Sequence, residues 1–331
     1  MLELTKAVLA MMIGFIVAVI FGLVAVPLLK KIAKQKVSLY LERKHKEKEG
    51  TPTMGGIIFI IPTFISIIIL VLMDKMEFSS NLLIVMFVFL AYATLGFIDD
   101  FLIIRKKNNA GLTEFQKLVG QLFIALVFFY IFMSNGANPV LDIHTLGIKI
   151  DMGWFYGIFL LFVLIASSNA VNITDGLDGL AGGLSVMAFL AFGLICWNSG
   201  ALTTADNLSL ALFCFVLVGA LMGFLVYNTH PAKVFMGDTG ALSLGATLAS
   251  IAIITKHEIT MIVVAGVFVF ETLVCIIQII SMVYFKRKVF LMTPYHHHLE
   301  KKGWDERDIV KLFWVIGLIL SMSAIIFGVW I

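Results

Sequence analysis

The sequence predicts an all-α polytopic membrane protein, a single integral membrane domain over residues 1–331 with about ten transmembrane helices and both termini outside. Three observations predict it. Hydrophobic residues make up 60% of the chain and charged residues only 14%, with a mean hydropathy of +1.03. Apolar runs of roughly 18 residues or more recur from end to end, enough to cross a hydrocarbon core of ~30 Å as helix. The runs do not alternate apolar with polar residues, so they read as helices rather than barrel strands.

Taken in order, the first span, about 5–29, is too long for a signal-peptide core, and its positive charges follow it rather than precede it; it reads as a retained helix. The second, 54–73, starts in "GTPTMGG". The third, 81–98, is closed by "GFIDD", where Asp99 and Asp100 adjoin. The fourth is 117–134. Alternation of Val140 and Asp142, then Ile148, Lys149 and Ile150 around Gly147, suggests a small hairpin in the segment 135–153. The fifth and sixth, 154–171 and 178–197, are joined by "NITDGLDG". The seventh and eighth, 207–227 and 239–255, are joined by "NTHPAKVFMGDTG". The ninth, 259–285, is long enough to tilt, break or overrun the bilayer. The tenth is 309–331. Cys196, Cys214 and Cys275 lie in apolar runs with no close pair, so neither a disulfide framework nor a zinc site is expected.

Charge sets the sidedness. The segments 30–53, 99–117, 172–177, 228–238 and 286–311 carry twenty of the 24 Lys and Arg; the remaining four are Lys6, Lys75, Lys149 and Lys256. That asymmetry places the first set in the cytoplasm. The polar chemistry collects there too, so cytoplasmic active-site loops are expected: Asp99 and Asp100; Asn172, Asp175 and Asp178; Asn228, His230, Lys233 and Asp238; His296, His297 and His298; and Lys44, Lys46 and Lys48 ahead of "GTPTMGG".

Each group has a plain structural reading. Asp178 and Asp238 suit helix N-caps, Thr51 and Pro52 a helix start, and the lysines of 30–53 snorkelling at the interface. The conjunction is harder to explain that way. Carboxylates in a membrane cost about 2.5–3.5 kcal/mol each at its centre, less near the interface. Five at one depth call for a cation. Oxygen donors in a glycine-rich setting suit Mg²⁺, which shares its coordination sphere with substrate phosphates. Helix N-termini near 178 and 239 offer N–H groups to phosphate. Lys48, Lys117 and the histidines form a basic rim that draws in an anionic substrate.

On "GTPTMGG", "GFIDD", "GLTEFQK", "NITDGLDGLAGG", "NTHPAKVFMGDTGA" and "TPYHHHLE", in this order over nearly the whole chain, the sequence resembles the polyprenyl-phosphate N-acetylhexosamine-1-phosphate transferases. "TPTMGG" and the HHH-x-E form point to the peptidoglycan branch. The resemblance implies a Mg²⁺-dependent reaction in a bacterial plasma membrane: UDP-N-acetylmuramoyl-pentapeptide and undecaprenyl phosphate give lipid I and UMP. It implies a homodimer in contact with membrane lipid, with no nucleic-acid partner. It makes Asp238 the metal ligand, Asp99 the catalytic carboxylate and Asp100 its neighbour. It places Lys48, Lys117, Asn172, Asp175, Asp178, Asn228, Phe235, Gln278, His296, His297 and His298 at substrate-binding positions, with Phe235 as a surface for uracil. One departure is Ile103, where several relatives carry lysine; the basic residues here are Arg105, Lys106 and Lys107.

A phosphate monoester is largely dianionic at pH 7, so direct attack by the lipid phosphate is favoured over an acyl-phosphate on Asp99; both routes remain open at this level. The triple histidine admits a transition-metal site or substrate contacts. Three consecutive histidines on a helix cannot all face one ion, which favours the contacts. The alternatives in function are a UDP-N-acetylglucosamine-1-phosphate transferase and, from another class, a secondary transporter. Against transport stand the one-sided acidic residues and the lack of a visible inverted repeat.

Overall fold

The computed structural model describes residues 2–32, 50–106, 111–143, 146–198 and 204–326. Lys48 lies outside them. Twelve helices and one hairpin follow in chain order: α1 Leu2–Ile32, α2 Ile57–Leu72, α3 Ser80–Lys106, α4 Glu114–Ser134, β1 Val140–Ile143, β2 Ile148–Asp151, α5 Phe155–Thr174, α6 Leu180–Trp197, α7 Thr204–Asn228, α8 Gly237–Ile254, α9 Glu258–Val264, α10 Gly266–Tyr284, α11 Tyr295–Lys301 and α12 Glu306–Ile325. Among the described residues, nine helices are long and apolar enough to cross a membrane. The shorter α2 has 16 residues, about 24 Å of helix, because residues 50–56 ahead of it pack into the protein as loop.

One expectation changes. Asp99 and Asp100 do not close the third helix, since α3 continues to Lys106 with Arg105 and Lys106 in its last turn. Charge marks where a helix leaves hydrocarbon; it does not stop backbone hydrogen bonding, and cations suit a helix C-terminus. The long ninth span is two helices, α9 and α10, broken at Ala265.

The centre of the fold is α8, whose residues from Thr239 to Ile254 are all buried. It is packed between α3 and α5, while α1 and α6 flank α7. The α1–α7 crossing rests on Gly219 and Gly223, one turn apart: a Cβ at Gly219 would lie 2.0 Å from the Met11 carbonyl oxygen. Hydrocarbon gives no hydrophobic drive for helix association, so such small-residue approaches carry the contact.

The hairpin forms as expected, pairing Val140 with Asp151 and Asp142 with Lys149; the latter two are ion-paired at 3.4 Å. It sits at the end of α4 away from Lys117. There Lys256 Nζ donates to the Asn138 carbonyl (2.6 Å) and to Tyr156 Oη (2.8 Å), and Tyr156 donates to the buried Glu258 Oε1 (2.6 Å). Tyr156→Phe removes the donor and leaves that oxygen without it, at about 1–3 kcal/mol. Thermal unfolding in detergent should show the loss, with turnover at saturating substrate retained.

Candidate active site

Four separate segments supply the site. From α3 come Asp99 and Asp100, from the first turn of α4 Lys117, from the end of α5 Asn172 and Asp175, and from the first turn of α8 Asp238 and Thr239.

"GLTEFQK" is built to deliver Lys117. Thr113 and Gln116 form a reciprocal capping box, Thr113 Oγ1 accepting the Gln116 N–H and Gln116 Oε1 accepting the Thr113 N–H. This starts α4 at Glu114. The Leu112 N–H donates to Asp99 Oδ1 at 2.6 Å. Lys117 Nζ then lies 2.7 Å from Asp238 Oδ2 and 3.1 Å from Asp99 Oδ2. Asn172 Nδ2 donates to the other Asp238 oxygen at 2.8 Å.

Asp100 is turned to the α8 terminus. Its Oδ2 accepts from Thr239 Oγ1 (2.6 Å) and the Thr239 N–H (3.0 Å), and Thr53 Oγ1 is 3.5 Å from Oδ1. Thr53 arrives through backbone pairing: the Phe235 N–H donates to the Pro52 carbonyl, and the Gly55 and Gly56 N–H groups donate to the Phe235 and Met236 carbonyls. "TPTMGG" is therefore not a helix start capped by Thr51; α2 begins at Ile57 without a side-chain cap. Asp238 lies in the first turn of α8 and is not its N-cap, and neither is Asp178 the N-cap of α6, which is Gly179 in the left-handed conformation. Asp178 Oδ2 instead accepts the Ala232 N–H (3.0 Å) and stands 3.2 Å from His230 Nδ1, while the Asp178 N–H donates to Glu306 Oε1 (2.8 Å).

Other predicted site residues brace the loops. Asn228 accepts the Gly179 N–H and donates to the Val234 carbonyl, joining the two aspartate loops. Phe235 is half-buried. Gln278 Oε1 accepts the Val289 and Phe290 N–H groups. The three histidines have three different Nδ1 partners: Glu271 for His296, Glu300 for His297 and the Leu291 N–H for His298.

Carboxylates outnumber ammonium groups here. Asp175 is pushed up to about 7, first by burial, then by the charges of Asp238, Asp100 and Asp178, against the Gly237 N–H that holds its carboxylate. The donor set fits a hard cation such as Mg²⁺: carboxylate oxygens gather round a point already favourable for positive charge, as Lys117 shows. A second acidic grouping, Asp178, His230 and Glu306, has ligand atoms within 4.8 Å of one another and is geometrically able to take a metal ion. Sequence reading missed Thr53, Thr239, Glu271 and Glu306. Only Glu271 carried a signal, as the one acid in the apolar run 259–285.

The sequence model of Glycosyl transferase family 4 matches residues 82–256, and the phospho-N-acetylmuramoyl-pentapeptide-transferase signature 1 matches residues 48–60. The chain is 43% identical over 325 residues, 98% of each chain, to a phospho-N-acetylmuramoyl-pentapeptide-transferase of Geobacillus thermodenitrificans. It is 41% identical over 321 residues, 97% of each chain, to that of Bacillus subtilis. To that of Oceanobacillus iheyensis it is 41% identical over 325 residues, 98% of each.

Proposed function

The chain belongs to the phospho-N-acetylmuramoyl-pentapeptide-transferase family, and from that premise we propose how its own residues carry the reaction. It makes lipid I for peptidoglycan: UDP-N-acetylmuramoyl-pentapeptide and undecaprenyl phosphate give undecaprenyl-diphospho-N-acetylmuramoyl-pentapeptide and UMP. It acts in the bacterial plasma membrane, as a homodimer with the aspartate loops toward the cytoplasm, where the lysine and arginine asymmetry puts them.

The observation that carries the reading is Lys117, held between Asp99 and Asp238 with Asn172 on the far oxygen of Asp238. One phosphoanhydride is exchanged for another. An oxygen of the lipid phosphate bonds to the sugar-bearing phosphorus as the bond from that phosphorus to the UMP oxygen breaks. Anion meeting anion is the obstacle, so cationic groups at the phosphates supply most of the stabilisation. Lys117 provides a fixed ammonium. Asp99, buried and pinned by Leu112, orients the acceptor and takes any residual proton. Asp100 holds the α8 terminus through Thr239, which keeps Asp238 in place. Asp238 would hold Mg²⁺, which when bound neutralises diphosphate charge and favours departure of UMP.

The test offers UDP-N-acetylmuramoyl-pentapeptide or UDP-N-acetylglucosamine, with and without undecaprenyl phosphate. UMP release with the first sugar only, and only with lipid present, supports direct transfer. Stoichiometric UMP release without lipid, with a phospho-sugar on Asp99, replaces direct attack by the covalent route.

Asp175 adds a pH prediction. Its carboxyl, raised to about 7, is neutral below that value, and a proton there removes charge that attracts a cation. Half-saturating Mg²⁺ should therefore fall as pH rises from about 6 to about 8. In metal-free protein the sign for stability is opposite. A raised carboxyl contributes below its unfolded value, about 4, and that contribution is lost as pH rises through about 7. Magnesium titrations at several pH values check the first trend, and unfolding scans in chelator the second.

A further inference from the structure

Glu271 lies inside α10 and is wholly buried, as is His296. A carboxylate within a spanning helix persists only with partners. Among the described residues, its hydrogen-bond partners come from the start of α11. Oε1 accepts the His296 backbone N–H at 3.1 Å and is 3.2 Å from His296 Nδ1, and Oε2 accepts the Tyr295 N–H. Burial holds the imidazole pKa below its usual value, so at neutral pH the ring carries one hydrogen. A carboxylate only accepts, so that hydrogen sits on Nδ1. Nε2 is left as a bare acceptor, buried and with no hydrogen-bond partner among the described residues. It faces Gly176, where a Cβ would lie 2.3 Å from it. Gly176 directly follows Asp175. The other charged or titratable groups about the ring are His297, 4.3 Å away between ring centroids, and Glu300.

We infer that Glu271 is a positioning residue of the transfer reaction: it locks His296 with its hydrogen on Nδ1, so that the hydrogen-free Nε2 edge packs against Gly176 and holds the Asp175–Asp178 loop, and Asp175 with it, in place. This rests on the transferase reading and extends it to a residue that touches no substrate. A carboxylate that orients a histidine acts through the tautomer it imposes, and a neutral amide in its place permits the wrong one.

The experiment uses the full chain in detergent, with ¹⁵N-histidine NMR and steady-state kinetics on wild type, Glu271→Gln, Glu271→Asp, His296→Ala and the double variant Glu271→Gln/His296→Ala. The wild type should show a neutral His296 with hydrogen on Nδ1, and Glu271→Gln a mixture of tautomers. Glu271→Gln should lower kcat at least about tenfold with KM for undecaprenyl phosphate unchanged, and Glu271→Asp should recover part of it. In the His296→Ala background, Glu271→Gln should cost less than about twofold, because coupled residues do not act additively. Equal losses in both backgrounds would mean that Glu271 only anchors α11, and the inference fails. It fails also if wild-type His296 carries its hydrogen on Nε2, a result that needs no variant to fold. Wild type with the expected tautomer but no UMP release would overturn the proposed reaction and, with it, the assignment of Glu271 to that reaction, leaving the tautomer lock alone.

Discussion

Asp238→Asn lowers kcat by about a thousandfold while the protein stays folded. The carboxylate has two separate duties, Oδ2 to Lys117 at 2.7 Å and Oδ1 to Asn172 at 2.8 Å. An amide has one acceptor. Either orientation sets its NH₂ against a donor, the Lys117 ammonium or the Asn172 amide, and the negative charge proposed to hold a divalent cation is lost. The hold on Lys117 between α3 and α8 is then weakened, and its ammonium shifts. Turnover measured across a magnesium series, with thermal unfolding as a control for folding, checks this. A kcat within about tenfold of wild type would remove Asp238 from the centre of the mechanism.

Gly96→Ala, a single methyl, should also abolish most activity. A Cβ at Gly96 would lie 2.1 Å from the Asp238 carbonyl oxygen and 2.6 Å from the Thr239 backbone nitrogen. Both are backbone atoms of the first turn of α8, the best-buried helix, and cannot step aside. Helix α3 must then move off α8, taking Asp99 and Asp100 from Asp238 and Thr239. A displacement near 1 Å costs about a hundredfold in rate. Gly120→Ala is the matched control, because its Cβ would meet Leu95 Cδ1 at 2.7 Å, the end of a flexible side chain that can turn away. It should keep activity within about fivefold, since a rotamer change costs on the order of 1 kcal/mol. Similar losses in the two variants would contradict the close α3–α8 approach as the device that aligns the carboxylates.

Much of this architecture is written in local composition. Hydrocarbon demands long apolar runs, and these stand out in one sequence; so do the alternation around Gly147 and the unusual length of 259–285, where the structure has a hairpin and a broken helix. The motifs that bring Asp99, Lys117, Asn172 and Asp238 together were legible as well, because carboxylates and amides beside apolar runs are rare and conspicuous. The end of α3 was not: helix propensity in "FLIIRK" outlasts the bilayer signal. Thr53 and Thr239 were also missed, since threonine near a helix start is ordinary and only its distance to Asp100 gives it meaning.

Composition and spacing thus suffice for the class of protein, the order of its apolar helices, and the residue types of its chemistry, because solvent selects those one segment at a time. Which carboxylate oxygen faces Lys117 and which is tied up by Thr239 depend on helices far apart in the chain. Hydrogen bonds act over about 3 Å. No pattern along the chain encodes distances of that order between residues more than a hundred positions apart, and only close contact between helices sets them.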